Sequence, residues 1–169
     1  THFLEHLMFK GSKNYPSGQF NSLIEGNGGN SNAYTSIDNT VYYESLPSEF
    51  LELMIDLEVD RMQHLVIDPV AFEKERKVIF EERKMRLENS SGGKLYYKMM
   101  EEVFKGTPYG GSVIGTKEDL KSLSREQVFN FYKRFFKIPK FFYYNFYIIC
   151  IKNTKLIYVA PLMLMIFFI

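Results

Sequence analysis

Two histidines four residues apart, His2 and His6, and a distant glutamate, Glu82, limit what this chain can fold into. On a helix, residues four apart lie one turn above the other on the same face, so both imidazoles can address one ion. Glu5 sits between them on that face. Two neutral imidazoles and one carboxylate leave a zinc ion one open position for water, and a further carboxylate nearby can take that water's proton. The fold must therefore bring the first helix against a second one far along the chain. The chemistry implied is zinc-assisted hydrolysis.

The chain has 169 residues, 46% of them hydrophobic and 24% charged, which fits an ordinary globular domain with one core. A net charge of +1 and the lack of a long basic run leave no electrostatic footprint for nucleic acid. A single cysteine, Cys150, excludes an internal disulfide framework, and its aliphatic and aromatic neighbours mark it as a buried small hydrophobe.

Local signals divide the chain into short elements. Residues 1–9 read as a helix ending at Gly11, with Phe3, Leu4, Leu7 and Met8 behind the histidines. Ser17 reads as the cap of a helix through Phe20, Leu23 and Ile24, and residues 32–36 and 40–46 as two strands of a hairpin. A helix follows from Ser48 to about Met62, and Asp68-Pro69 opens another to about Glu88. In the latter, 100° spacing gathers Phe72, Glu75, Val78, Ile79 and Glu82 into one stripe and leaves Glu81 to the side. Carboxylates on an apolar face need a partner or a metal, which favours Glu82 over Glu81 as a ligand. Arg86 stands four residues beyond Glu82, and an ordinary ion pair between them is the alternative. Further helices are expected over residues 94–104 and from Ser124, whose spacing to Gln127 fits a capping box, through Val128, Phe131, Tyr132 and Phe135.

With His2-x-x-Glu5-His6 and Glu82 in view, the chain resembles the pitrilysin/insulinase family of zinc peptidases, nearest its bacterial and mitochondrial-processing-peptidase branch. The matching stretches are HFLEHLMFKGS at 2–12, GGNSNAYTSIDNTVYY at 28–43, EKERKVIFEERKM at 73–85 and IGTKEDLKSLSREQVFNFYKRFF at 114–136. The resemblance implies that His2, His6 and Glu82 hold one Zn2+ ion, that Glu5 is the general base, and that Glu75 supports the site by orienting a histidine or the water. It also implies that Asn32, Ala33, Tyr34 and Thr35 form an edge strand to which a peptide or protein substrate adds. His64 matches no ligand position and reads as a surface residue. The expected fold is α+β: a mainly antiparallel sheet with helices packed on one face, a half domain of the pitrilysin or processing-peptidase type.

The departures shape the functional expectation. Relatives carry strands before the first motif and a homologous second half or partner subunit that encloses the substrate, and neither stands in this sequence. Residues 1–136 read as the catalytic half of a zinc metalloendopeptidase, part of a longer enzyme. The alternative is a non-catalytic relic or partner subunit that keeps the fold and the ligands. Residues 137–169 form an atypical tail: from Ile138 onward there are three lysines, no acid and nine phenylalanines or tyrosines, and residues 156–169 are uncharged. An aberrant terminus, a buried strand pair and a membrane anchor, in that order, are its readings, since 14 residues fall short of the about 20 a membrane helix needs.

Overall fold

The turn at residues 36–38 folds β1 (Asn30–Thr35) back along β2 (Asn39–Pro47), antiparallel, with Asn30 opposite Ser45 and Thr35 opposite Thr40. A computed structural model of the chain describes residues 1–136 and the backbone of 156–159 and 164–165. Two short tail strands, β3 (Leu156–Val159) and β4 (Leu164–Met165), pair antiparallel with the other edge of β2, giving the order β1-β2-β3 with β4 beside β2. The expectation for Cys150 lies outside the described residues, as does most of what was expected of the tail.

Alternation along β2 turns Thr40, Tyr42, Glu44 and Leu46 inward and leaves Tyr43 exposed, so one face of the sheet receives the helices. These are α1 (His2–Leu7), α2 (Gln19–Gly26), α3 (Leu51–His64), α4 (Pro69–Arg83), α5 (Ser91–Val103), α6 (Lys117–Ser122) and α7 (Arg125–Phe131). One apolar cluster joins α1, α4, α6, α7 and Tyr42, and a second joins Phe20 and Ile24 of α2, Met54 and Leu57 of α3, and Leu46. The fold is the α+β arrangement expected, a small antiparallel sheet with helices against it.

Three local expectations differ from what forms. Gly18, at φ 84°, caps α2, and Ser17 does not: the chain enters that helix through a left-handed residue that makes no side-chain bond. The 69–88 helix is regular only to Arg83, after which residues 84–88 widen into a π turn that buries Leu87. The helix expected from Ser124 through Phe135 is α-helical only to Phe131; a second π turn, Tyr132–Phe136, follows and buries Phe136. The Ser124–Gln127 capping box forms as expected, and Thr116 with Asp119 makes another that opens α6.

Candidate metal centre

A helix of six residues is too short to stand alone. The one bearing both histidines is held by burial of Phe3, Leu4, Leu7 and Met8, each worth roughly 1.5–3 kcal/mol when withdrawn from water. Phe3 stacks on Phe72 of α4, ring centroids 4.8 Å apart. The Arg76 guanidinium lies over both rings and donates to the Leu120 and Leu123 carbonyls. Asp68 caps α4 by accepting from the Ala71 amide, with Pro69 at the first position, which fixes where that helix begins. Gly11, at φ 122°, then turns the chain sharply: a Cβ there would lie 2.8 Å from the Ser17 nitrogen.

His2, His6 and Glu82 each place a ligand atom within 4.8 Å of the others. His2 Nε2 lies 3.5 Å from Glu82 Oε1, and His6 Nε2 lies 3.2 Å from Glu82 Oε2. The two contacts use different oxygens of Glu82, and the three groups are close enough for one ion to reach an atom of each. Glu82 Oε2 is buried without a hydrogen bond despite its closeness to His6. The reason is visible on the other side of the ring: His6 Nδ1 lies 3.0 Å from Glu75 Oε1, and against a carboxylate that nitrogen is the donor. Its Nε2 then presents a lone pair to another acceptor, an arrangement that a cation or a proton between them relieves. His2 first, and His6 second, hold the Glu82 carboxyl far below the usual carboxylate range when the imidazole nitrogens facing it carry protons. Burial opposes a charged His6, but Glu82 and Glu75 outweigh it and raise its pKa. The donor set of two imidazoles and a carboxylate fits zinc.

Glu5 is 9% exposed and accepts a hydrogen bond from the Thr35 hydroxyl, which also lies 3.0 Å from the Thr40 hydroxyl. The side chain of the first helix is thereby tied to β1. His2, Glu5, His6 and Glu82 share one open cleft of about 780 Å³ with Asn32, Ala33, Tyr34 and Thr35, and Glu75 lies buried beneath. The nine residues read from the sequence as site residues thus lie together. His64 is exposed at the surface, bonded to Asp60.

Sequence reasoning missed part of the cleft. Val78 was expected in the buried stripe but is 45% exposed, because no element among the described residues covers that flank; with Lys77 and Met85 it lines the cleft. Arg86 pairs with Glu82 at 3.0 Å, so the ion pair and the histidine contacts coexist. Lys10, four residues after His6, contacts Glu75, and its spacing was the available signal.

The sequence pattern of a family described as insulinase, peptidase family M16, matches residues 1–117. The chain belongs to that family. Among its relatives are the zinc protease PqqE of Helicobacter pylori, 33% identical and covering 83% of this chain and 31% of that protein, and cytochrome b-c1 complex subunit 1 of Bos taurus, 32% identical over 82% and 29%. The mitochondrial-processing peptidase subunit beta of Neurospora crassa is 31% identical over 79% of this chain and 28% of its own. The crystal structure of a protease from Helicobacter pylori superposes with a TM-score of 0.78 at 33% identity, over 82% of this chain and 33% of that one. The chain spans about a third of the length of the curated relatives it matches. Insulinase-family relatives thus include named peptidases, one of them a zinc protease.

Proposed function

We propose that the chain carries the metal-binding half of a zinc-dependent metalloendopeptidase, with His2, His6 and Glu82 as ligands and Glu5 as general base. The observation that carries this is the convergence of those three ligand atoms beside Glu5 in a cleft bordered by a sheet edge. A zinc ion, when bound, polarises the scissile carbonyl and brings the pKa of its water to roughly 7. Glu5 takes the proton of the attacking water and returns it to the leaving amine; the Thr35 hydroxyl keeps its carboxylate on that side of the cleft. Glu75 holds His6 in the tautomer that leaves Nε2 free.

The substrate is read through its backbone. Ser36 donates to the Asn39 carbonyl at 2.7 Å, and antiparallel pairs alternate, so the N–H and C=O groups of Ser31, Ala33 and Thr35 point away from β2. The Ala33 amide, accordingly, bonds the Asn32 side chain at 2.8 Å. A peptide adding to β1 takes that amide in exchange, which favours broad rather than side-chain-specific recognition. A longer parent supplies a second half or partner subunit that covers this edge. The test is peptide cleavage by the full-length parent and by its Glu5→Gln form: a fall of about 10²–10⁴ in kcat with zinc content unchanged is expected. Undiminished cleavage would remove Glu5 from the role.

A second reading, a non-catalytic subunit, is favoured by the relative named as a component of the cytochrome b-c1 complex. Zinc uptake with no cleavage by the full-length parent would select it.

A further inference from the structure

We infer that Lys10 is a positioning residue of the metal centre: it grips one oxygen of Glu75 so that the other holds the Nδ1 proton of His6. The inference rests on the metal-ligand reading above, and its observations are separate ones. The Lys10 amide donates to the Leu7 carbonyl at 2.9 Å, so a tight turn follows α1 and fixes Lys10 before Gly11 turns the chain away. His6, near the end of α1, and Lys10, in the turn after it, both reach the same carboxylate on α4. Lys10 Nζ lies 2.8 Å from Glu75 Oε2, and His6 Nδ1 lies 3.0 Å from Glu75 Oε1. Each oxygen has its own donor.

The physical need for the second donor lies in the carboxylate itself. The terminal torsion of a glutamate is broad, so a carboxylate held at one oxygen swings. Held at both, it fixes the imidazole ring and its tautomer, and with them the direction of the Nε2 lone pair toward Glu82. Glu75 is 5% exposed, so little water reaches it to replace a lost partner, whereas the Lys10 side chain is about one-third exposed and can be changed without opening the core. Among the described residues Lys10 makes no other ion pair.

The test measures Zn2+ affinity of the full chain by competition with a chromogenic chelator, using zinc alone. Lys10→Met, which keeps the length and removes the charge, should weaken binding about ten-fold, the lower end of what losing an outer partner of a metal ligand brings. Lys10→Arg should restore most of it. Glu75→Gln should weaken binding at least as much, and adding Lys10→Met to Glu75→Gln should then change little, because the lysine acts through that carboxylate. Cobalt-substituted protein gives an independent readout, with the visible absorption of the ion altered in Lys10→Met and restored in Lys10→Arg. Unchanged affinity and spectrum in Lys10→Met, or losses that multiply fully in the double variant, would overturn the inference while leaving the ligands in place. No zinc uptake by the unsubstituted chain would overturn the metal reading and this inference with it.

Discussion

Glu82 meets His2, His6 and Arg86 with two oxygens, and the three contacts together keep it ionised and aimed. As the sole anionic ligand proposed, it should dominate affinity: Glu82→Gln is expected to weaken Zn2+ binding by more than the about 10–100-fold typical of a lost outer partner. Glu81→Gln should leave it nearly unchanged, because Glu81 is exposed at the edge of the cleft beside Lys84 and is not one of the three groups whose ligand atoms converge. Isothermal titration of the two variants checks this, and equal losses would reverse the assignment. The distinction between neighbours was legible in the sequence, since helical periodicity is a local property. The Thr35 hydroxyl on Glu5 was not, because a bond across 30 positions exists only once β1 and α1 pack. The same holds for Val78, whose exposure depends on what lies opposite.

At the scale of elements, β1 and the α3–β2 contact each carry a prediction. Proline in an edge strand is tolerated where its missing N–H faces outward. Ala33→Pro should therefore keep the hairpin and zinc uptake, yet raise KM for peptides in the full-length parent by removing an amide the substrate uses; an unchanged KM would argue against strand addition. Behind the sheet, Arg61 of α3 is 1% exposed and pairs with Glu44 of β2 at 2.7 Å and with Glu58, under the rings of Phe9, Phe20 and Tyr42. One guanidinium cannot balance two buried carboxylates. Burial first, and Glu58 second, push the Glu44 carboxyl up to about 9. Its folded pKa thus exceeds its unfolded value near 4.5, so the folded state binds the extra proton and stability falls as pH rises from there through about 9. Urea titrations at pH 5 and pH 8.5 should show that loss, and Glu44→Gln should flatten it. Arg61→Met should destabilise by about 3–5 kcal/mol, since it strands buried charge. Helical periodicity gives α3 an apolar face, but nothing local to it marks Arg61 as interior, because its partners come from β2 and from aromatic rings elsewhere in the chain.

On the scale of the whole molecule, the cleft is open and β1 has no second partner strand among the described residues. Positioning a peptide demands more, since a misplacement of about 1 Å can reduce the rate about 100-fold. Residues 1–169 alone are therefore expected to bind zinc but cleave peptides poorly, with activity appearing in a longer parent or on adding a complementary half; robust chelator-sensitive cleavage by the isolated chain, abolished by Glu5→Gln, would contradict this. The sequence by itself determined the side-chain types of the proposed ligands, their helical faces, the hairpin and the capping signals of α4 and α7, because spacing and capping act over a few residues. Only the tertiary structure decided that Phe3 stacks on Phe72 to bring His2 and His6 against Glu82, that Lys10 and His6 share Glu75, and that Arg61 is interior. Those outcomes depend on which surfaces meet when the chain closes on its core, and no periodicity along the chain encodes the distance between two helices.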